Sequence, residues 1–171
     1  MATITNELSG SGKIVARIDV LEQVTRDMEG SRVAWMNTDL GVVRAWVAFQ
    51  LGKREILSHV VHLHAMSVRS WYAGCEALVN GTSPKDREIV FGMESPELTM
   101  SAGWLRGEFG SRDDERWGRT LDFAIGLDPG IFDEAPMITG EFVGFRFMPS
   151  AESVFAFSHC LLSEVESVLD S

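Results

Sequence analysis

The sequence predicts an α+β domain: a mostly antiparallel sheet of about eight strands with two amphipathic helices packed on one face. Three observations point there. Ile14, Ala16, Ile18 and Val20 alternate with their neighbours at the period of a half-buried strand, and several later segments do the same. Two other stretches repeat their apolar residues every three or four positions: Val68, Trp71, Tyr72, Cys75, Leu78 and Val79, and then Val154, Phe157, Leu161, Val165 and Val168. Turn signals at Gly52, Lys53 and Arg54, and at Asp128, Pro129 and Gly130, separate strand-like runs.

In chain order, residues 1–13 are small and polar and end in a Gly/Ser cluster, which reads as a flexible lead-in to a single domain over 14–171. The first strand runs from Ile14 to Leu21. A second extended segment begins at Arg32 and passes Trp35, and a third runs from Val43 to Leu51, rich in β-branched and aromatic residues. Residues 56–65 suit either helix or strand. The strand is chosen because Ser67 offers an N-cap for a separate helix over 68–80, with Gly81 beyond its end.

Shorter strands follow at Glu88 to Phe91, after the SPEL segment at Ser95 to Leu98, and from Trp104 to Phe109. The charged loop over 110–119 separates these from Thr120 to Leu127, which alternates again. Residues 138–147 carry aromatic side chains on both faces, which predicts a strand in the middle of the sheet. Ser150 caps the closing helix. The residues show no internal repeat.

Fifteen Lys and Arg stand against 25 Asp and Glu, a net charge of -10, which disfavours nucleic acid as a partner and favours a basic one. The imbalance is local. Residues 1–119 carry 14 basic and 16 acidic side chains, whereas residues 120–171 carry Arg146 alone against nine acids. Asp128, Asp133 and Glu134 fall near one turn, and Glu152, Glu164 and Glu166 on the last helix. They form either a solvated face or a surface that steers a basic partner. Trp117, between Arg116 and Arg119, packs back on its loop or anchors an interface.

Catalytic and cofactor motifs are weakly represented. His62 and His64 on a strand would share one face and could hold a metal, as in cupin-type sites, but the Glu that should follow is missing; His59 is followed by Val60, so there is no HExxH. Gly10 to Lys13 resembles the end of a phosphate loop without its first Gly or its Ser/Thr. Cys75 and Cys160 lack CxxC spacing and read as buried free thiols. No apolar run reaches membrane-spanning length and no secretory signal opens the chain, so a cytoplasmic protein that neither enters membranes nor uses a cofactor is expected.

The strand entering a helix over residues 60–81, the Phe91 to Met100 segment with SPEL, the later FVGFRF (142–147) and the closing helix together resemble small bacterial α+β immunity domains of the WapI-like group. The resemblance implies a non-enzymatic protein that neutralises a cognate toxin, many such toxins being nucleases with basic clefts. It carries over no interface residue. The alternatives are a metal- or small-ligand-binding protein using the strand histidines, and a phage-type acidic mimic of nucleic acid.

Overall fold

The computed structural model describes residues 1–8, 12–24, 41–82, 88–91, 97–104, 120–128 and 143–171. Within them the chain is α+β, with eight strands and two helices. The strands form two four-stranded antiparallel sheets. β1 (Ala2–Leu8), β2 (Gly12–Gln23), β3 (Val42–Leu51) and β4 (Arg54–His64) make the first in sequential order, followed by α1 (Ala65–Val79). β5 (Ile89–Val90), β6 (Leu98–Trp104), β7 (Leu121–Leu127) and β8 (Val143–Phe147) make the second, followed by α2 (Ala151–Leu169). Among the described residues, four strands and a helix therefore occur twice in succession, a repetition of architecture that the residues themselves do not display.

β1 corrects the expectation of a flexible lead-in. Ala2 and Ile4 are buried while Thr3 is exposed, and β1 pairs with β2 from Ala2 opposite Ile18 to Leu8 opposite Gly12. Two apolar residues are too few to make a periodic signal alone; their partners are β2 and the helix α2 that packs over it. Along β2, Ile14, Ala16 and Ile18 face the core, and β3 adds Val43, Ala45, Val47 and Phe49. The register between β2 and β3 shifts between Val20 and Glu22, which leaves Leu21 exposed.

α1 begins at Ala65, three residues before the predicted start, and Ser67 lies buried inside it instead of capping it. The strand passes straight into the helix, because the Ala65 N–H donates to the Gly41 carbonyl at 2.9 Å and needs no side-chain cap. The end is as expected. Gly81 stands just beyond the helix at φ +69°, the left-handed conformation that glycine adopts without strain.

In the second sheet β7 contributes Leu121, Phe123 and Ile125, and β6 contributes Leu98, Met100 and Ala102. Among the described residues β8 is an edge strand paired only with β7, not the central strand that its aromatic residues predict. One of those aromatics has a different partner: the Phe145 ring meets Phe49 of the first sheet edge-on at 5.8 Å and 67°. Gly144 is required at this edge, since a Cβ there would collide with the Ile125 carbonyl and Gly126 of β7. The expected elements at Arg32 to Trp35, 105–109, 110–119 and 138–142 lie outside the described residues.

The two units share their helices. α2 lies across β1, β2 and β3 of the first sheet, while α1 touches β4 and β5 and packs along α2. Trp71 on α1 stacks its edge near Phe91 and Phe123 at 6.3 Å each, and Phe123 meets Phe157 of α2 at 6.2 Å. These side chains belong to one buried cluster that includes both sheets and both helices. Each large apolar side chain so buried contributes about 1.5–3 kcal/mol. Ser150 caps α2 as expected, its hydroxyl accepting from the Ser153 N–H at 3.2 Å. Among the described residues no helix is long and apolar enough to cross a membrane.

Candidate interaction surface

The two helices turn one side to the core and the other outward, and they run antiparallel. Arg69 on α1 meets Glu166 on α2; three residues further along α1, Tyr72 meets His159 and Phe155. Seven residues make nearly two helical turns, so Glu152, His159 and Glu166 align along α2 just as Arg69 and Glu76 align along α1. The seam between them is built from small groups. Cys75 and Ser158 are buried beneath it, and the Ser158 hydroxyl donates to the Phe155 carbonyl at 2.8 Å.

At the centre of this outward face lies an aromatic trio. The Tyr72 and Phe155 rings are 5.6 Å apart, Tyr72 and His159 5.9 Å, and Phe155 and His159 6.4 Å. Tyr72 and Phe155 are half-buried and His159 is exposed. The Tyr72 hydroxyl donates to Glu76 Oε1 at 3.4 Å, and desolvation, followed by the negative charge of Glu76, raises its pKa. Exposed Glu76, Glu152 and Asp170 stand on the same pair of helices, with Arg69 and Glu166 joined in a bidentate pair. That pair holds the Glu166 carboxyl below its ordinary value, against the opposing effect of burial. The result is an acidic face with an aromatic floor.

The acids expected at an interface are dispersed by the fold. Glu152 and Glu166 lie on this face. Glu164 does not: two residues on a helix are about 200° apart, and its carboxylate turns toward the first sheet. There it accepts from the Met1 amino group and, at 3.4 Å, from the Val20 N–H. Asp128 is buried at the end of β7, its N–H donating to the Glu97 carbonyl at 3.2 Å. Asp133, Glu134 and Trp117 lie outside the described residues. Sequence reasoning missed Glu76, Phe155 and His159 as surface groups; the 69/76 and 152/159/166 spacings were the available signal, but only the antiparallel contact of the helices brings them together.

His62 and His64, two residues apart on β4, differ in their surroundings. His62 is half-buried, its Nδ1 lying 3.1 Å from Glu97 Oε2, and the same carboxylate oxygen accepts from the His62 N–H at 2.6 Å. His64 is buried at the entrance to α1. Among the described residues no three His, Cys, Asp or Glu side chains converge as a metal would require. Cys75 and Cys160 are free thiols, one buried and one half-buried. Burial pushes Cys75 up to about 12, and the smaller lowering influence of the Ser158 side chain does not offset it.

Comparison with protein-family models, with curated proteins and with solved structures finds no match in any of the three.

Proposed function

We propose that the chain is a non-enzymatic binding protein of the immunity or inhibitor kind, which neutralises a basic protein partner such as a cognate toxin by covering it with the outward face of α1 and α2. The observation that carries this reading is the aromatic trio of Tyr72, Phe155 and His159, with Glu76 accepting from the Tyr72 hydroxyl and the exposed acids Glu152 and Asp170 placed toward the two ends of α2. Partly exposed aromatics can form the dry centre of an interface, and surrounding charges set the encounter rate and the choice of partner. The tyrosine ring and the neighbouring carboxylates together suit an Arg or Lys side chain, by cation–π contact and ion pairing. The net charge of -10 favours such a partner over nucleic acid.

Affinity capture from the source organism at low salt, with the wild-type chain as bait, tests the reading. The expected result is a basic protein that is released as salt rises and is lost when Tyr72→Ala and Glu76→Lys are combined. A Tyr72→Ala change alone should weaken binding by about 30-fold, the scale of an interface hot spot. Capture that ignores salt, or that survives both substitutions, would overturn it.

A further inference from the structure

The end of the first sheet opposite α1 carries a surface of the opposite kind. The turn between β3 and β4 is formed by Gly52, at φ +63°, and Lys53, and the Gly52 N–H donates to the Lys13 carbonyl at 2.7 Å. This bond brings the start of β2 to the same end, so that Lys13, Lys53 and Arg54, all exposed, gather there. Two acids accompany them: Glu7, opposite Lys13 in the β1–β2 ladder, and Glu55, which accepts from the Ser58 hydroxyl at 2.7 Å.

Two aliphatic side chains stand among these cations: Leu51 is 44% exposed and Ile56 50%. The exposure of Ile56 has a cause in the ladder. Phe49 pairs with Leu57 and Gln50 with Glu55, so Ile56 is the extra residue of a bulge with nothing opposite it. A bulge re-aims a side chain that regular alternation would otherwise place on a face of the sheet. The tip thus carries three cations against two acids around an apolar crown, an excess of positive charge in a chain whose overall charge is strongly negative.

We infer that this tip docks on the α1–α2 face of a second copy of the chain. The inference rests on the reading of that face as a receptor for basic groups. Charge complementarity selects the occupant: two helical faces would repel one another, and two tips would do the same, whereas tip against face sets Lys53 and Arg54 beside Glu76 and Glu152 and lays Ile56 toward the aromatic trio. The contact is heterologous, so it closes as a reciprocal pair or runs on as a chain. Its few charges lie at a solvated rim, which makes it weak and sensitive to salt. A partner for the helical face then competes with the protein's own hairpin.

Sedimentation equilibrium of the full chain at rising concentration, at about 20 mM and about 500 mM salt, reads this directly. Mass should climb above that of the monomer at low salt and return to it at high salt. Lys53→Glu with Arg54→Glu should weaken association at least tenfold, and so should Glu76→Lys with Glu152→Lys. An equimolar mixture of these two doubly substituted proteins should associate again, since an acidic tip then meets a basic face. An Ile56→Ser variant should weaken association with every charge intact. A monomer under all conditions, association indifferent to the tip reversal, or no recovery in the mixture would overturn the inference. The tip-reversed protein retains the helical face. If it captures a basic partner although the wild type never self-associates, only the docking falls; if self-association behaves as expected and no basic partner is captured, only the partner reading falls.

Discussion

Arg69 holds Glu166 through two parallel hydrogen bonds, Nε to Oε1 at 2.7 Å and Nη2 to Oε2 at 2.9 Å, and so ties the first helix to the last. Both groups are partly in water, which limits the gain to about 0.5–1 kcal/mol. Glu166→Gln should lose about that much at neutral pH in urea unfolding. The folded carboxyl is held below its ordinary value of 4.5, so as pH falls the unfolded chain takes up the proton first. The contribution is therefore complete above the ordinary glutamate range and fades as pH drops through the lowered value. Wild type and Glu166→Gln should converge in stability at about pH 2; a constant gap down to that pH would contradict the pairing.

Trp71 offers a graded test of the core. Its indole is 1% exposed, packs against Phe91 and Phe123, and its Nε1 has no hydrogen-bond partner. Trp71→Ala should cost about 3–5 kcal/mol through the cavity it leaves. Trp71→Phe should cost less, about 1–2 kcal/mol, because it also removes a buried N–H that is unpaired in the fold. Equal losses in the two variants, measured by denaturant midpoint, would show that the ring does not carry the packing.

Gly74 sits where helix propensity and packing conflict. Alanine is the better helix former by about 1 kcal/mol, yet a Cβ at this position would lie 2.7 Å from Ile89 Cγ2 of β5. Gly74→Ala should therefore destabilise by about 1–3 kcal/mol despite its propensity. Combined with Ile89→Ala it should cost less than the sum of the two single changes, and a double-mutant cycle measures that coupling.

The thiols should be quiet. Burial raises Cys75 to about 12, and desolvation together with the hydrogen bond to Glu164 raises Cys160. At about pH 8 a chromogenic disulfide reagent should leave Cys75 unmodified and react with Cys160 only slowly, while both react at once in denaturant. Rapid modification of Cys75 in the native protein would mean that the space between the helices opens.

Sequence patterns reveal elements that own their periodicity. Val154, Phe157, Leu161 and Val165 repeat over a long helix with a serine cap, so α2 is legible to within a residue, as are β3 and β7. β1 is hidden because its order comes from β2 and α2, not from a pattern of its own. The position of β8 is misread because the contact that accounts for Phe145 is with Phe49, almost a hundred residues earlier. The division into two sheets leaves no mark on any single segment. The candidate surface is only half legible for the same reason: Glu152 and Glu166 can be named from composition, but their separation from Glu164 and their union with Tyr72 and Glu76 depend on how two distant helices meet.

The crossing of α2 over β1, β2 and β3 also bears on how the molecule is made. Synthesis proceeds from the amino end, so the apolar faces of the first strands leave the ribosome long before the segment that will cover them exists. Val43, Val47 and Phe49 must wait for Val154, Phe157 and Leu161, more than a hundred residues later. Contacts between such distant parts of a chain form slowly, and strands left uncovered invite wrong partners. The closing helix thus sets the moment at which the protein can first become itself, and losing its last two turns would strip Val165, Val168 and Leu169 from the cover of the earliest strands and open them to aggregation in the cell.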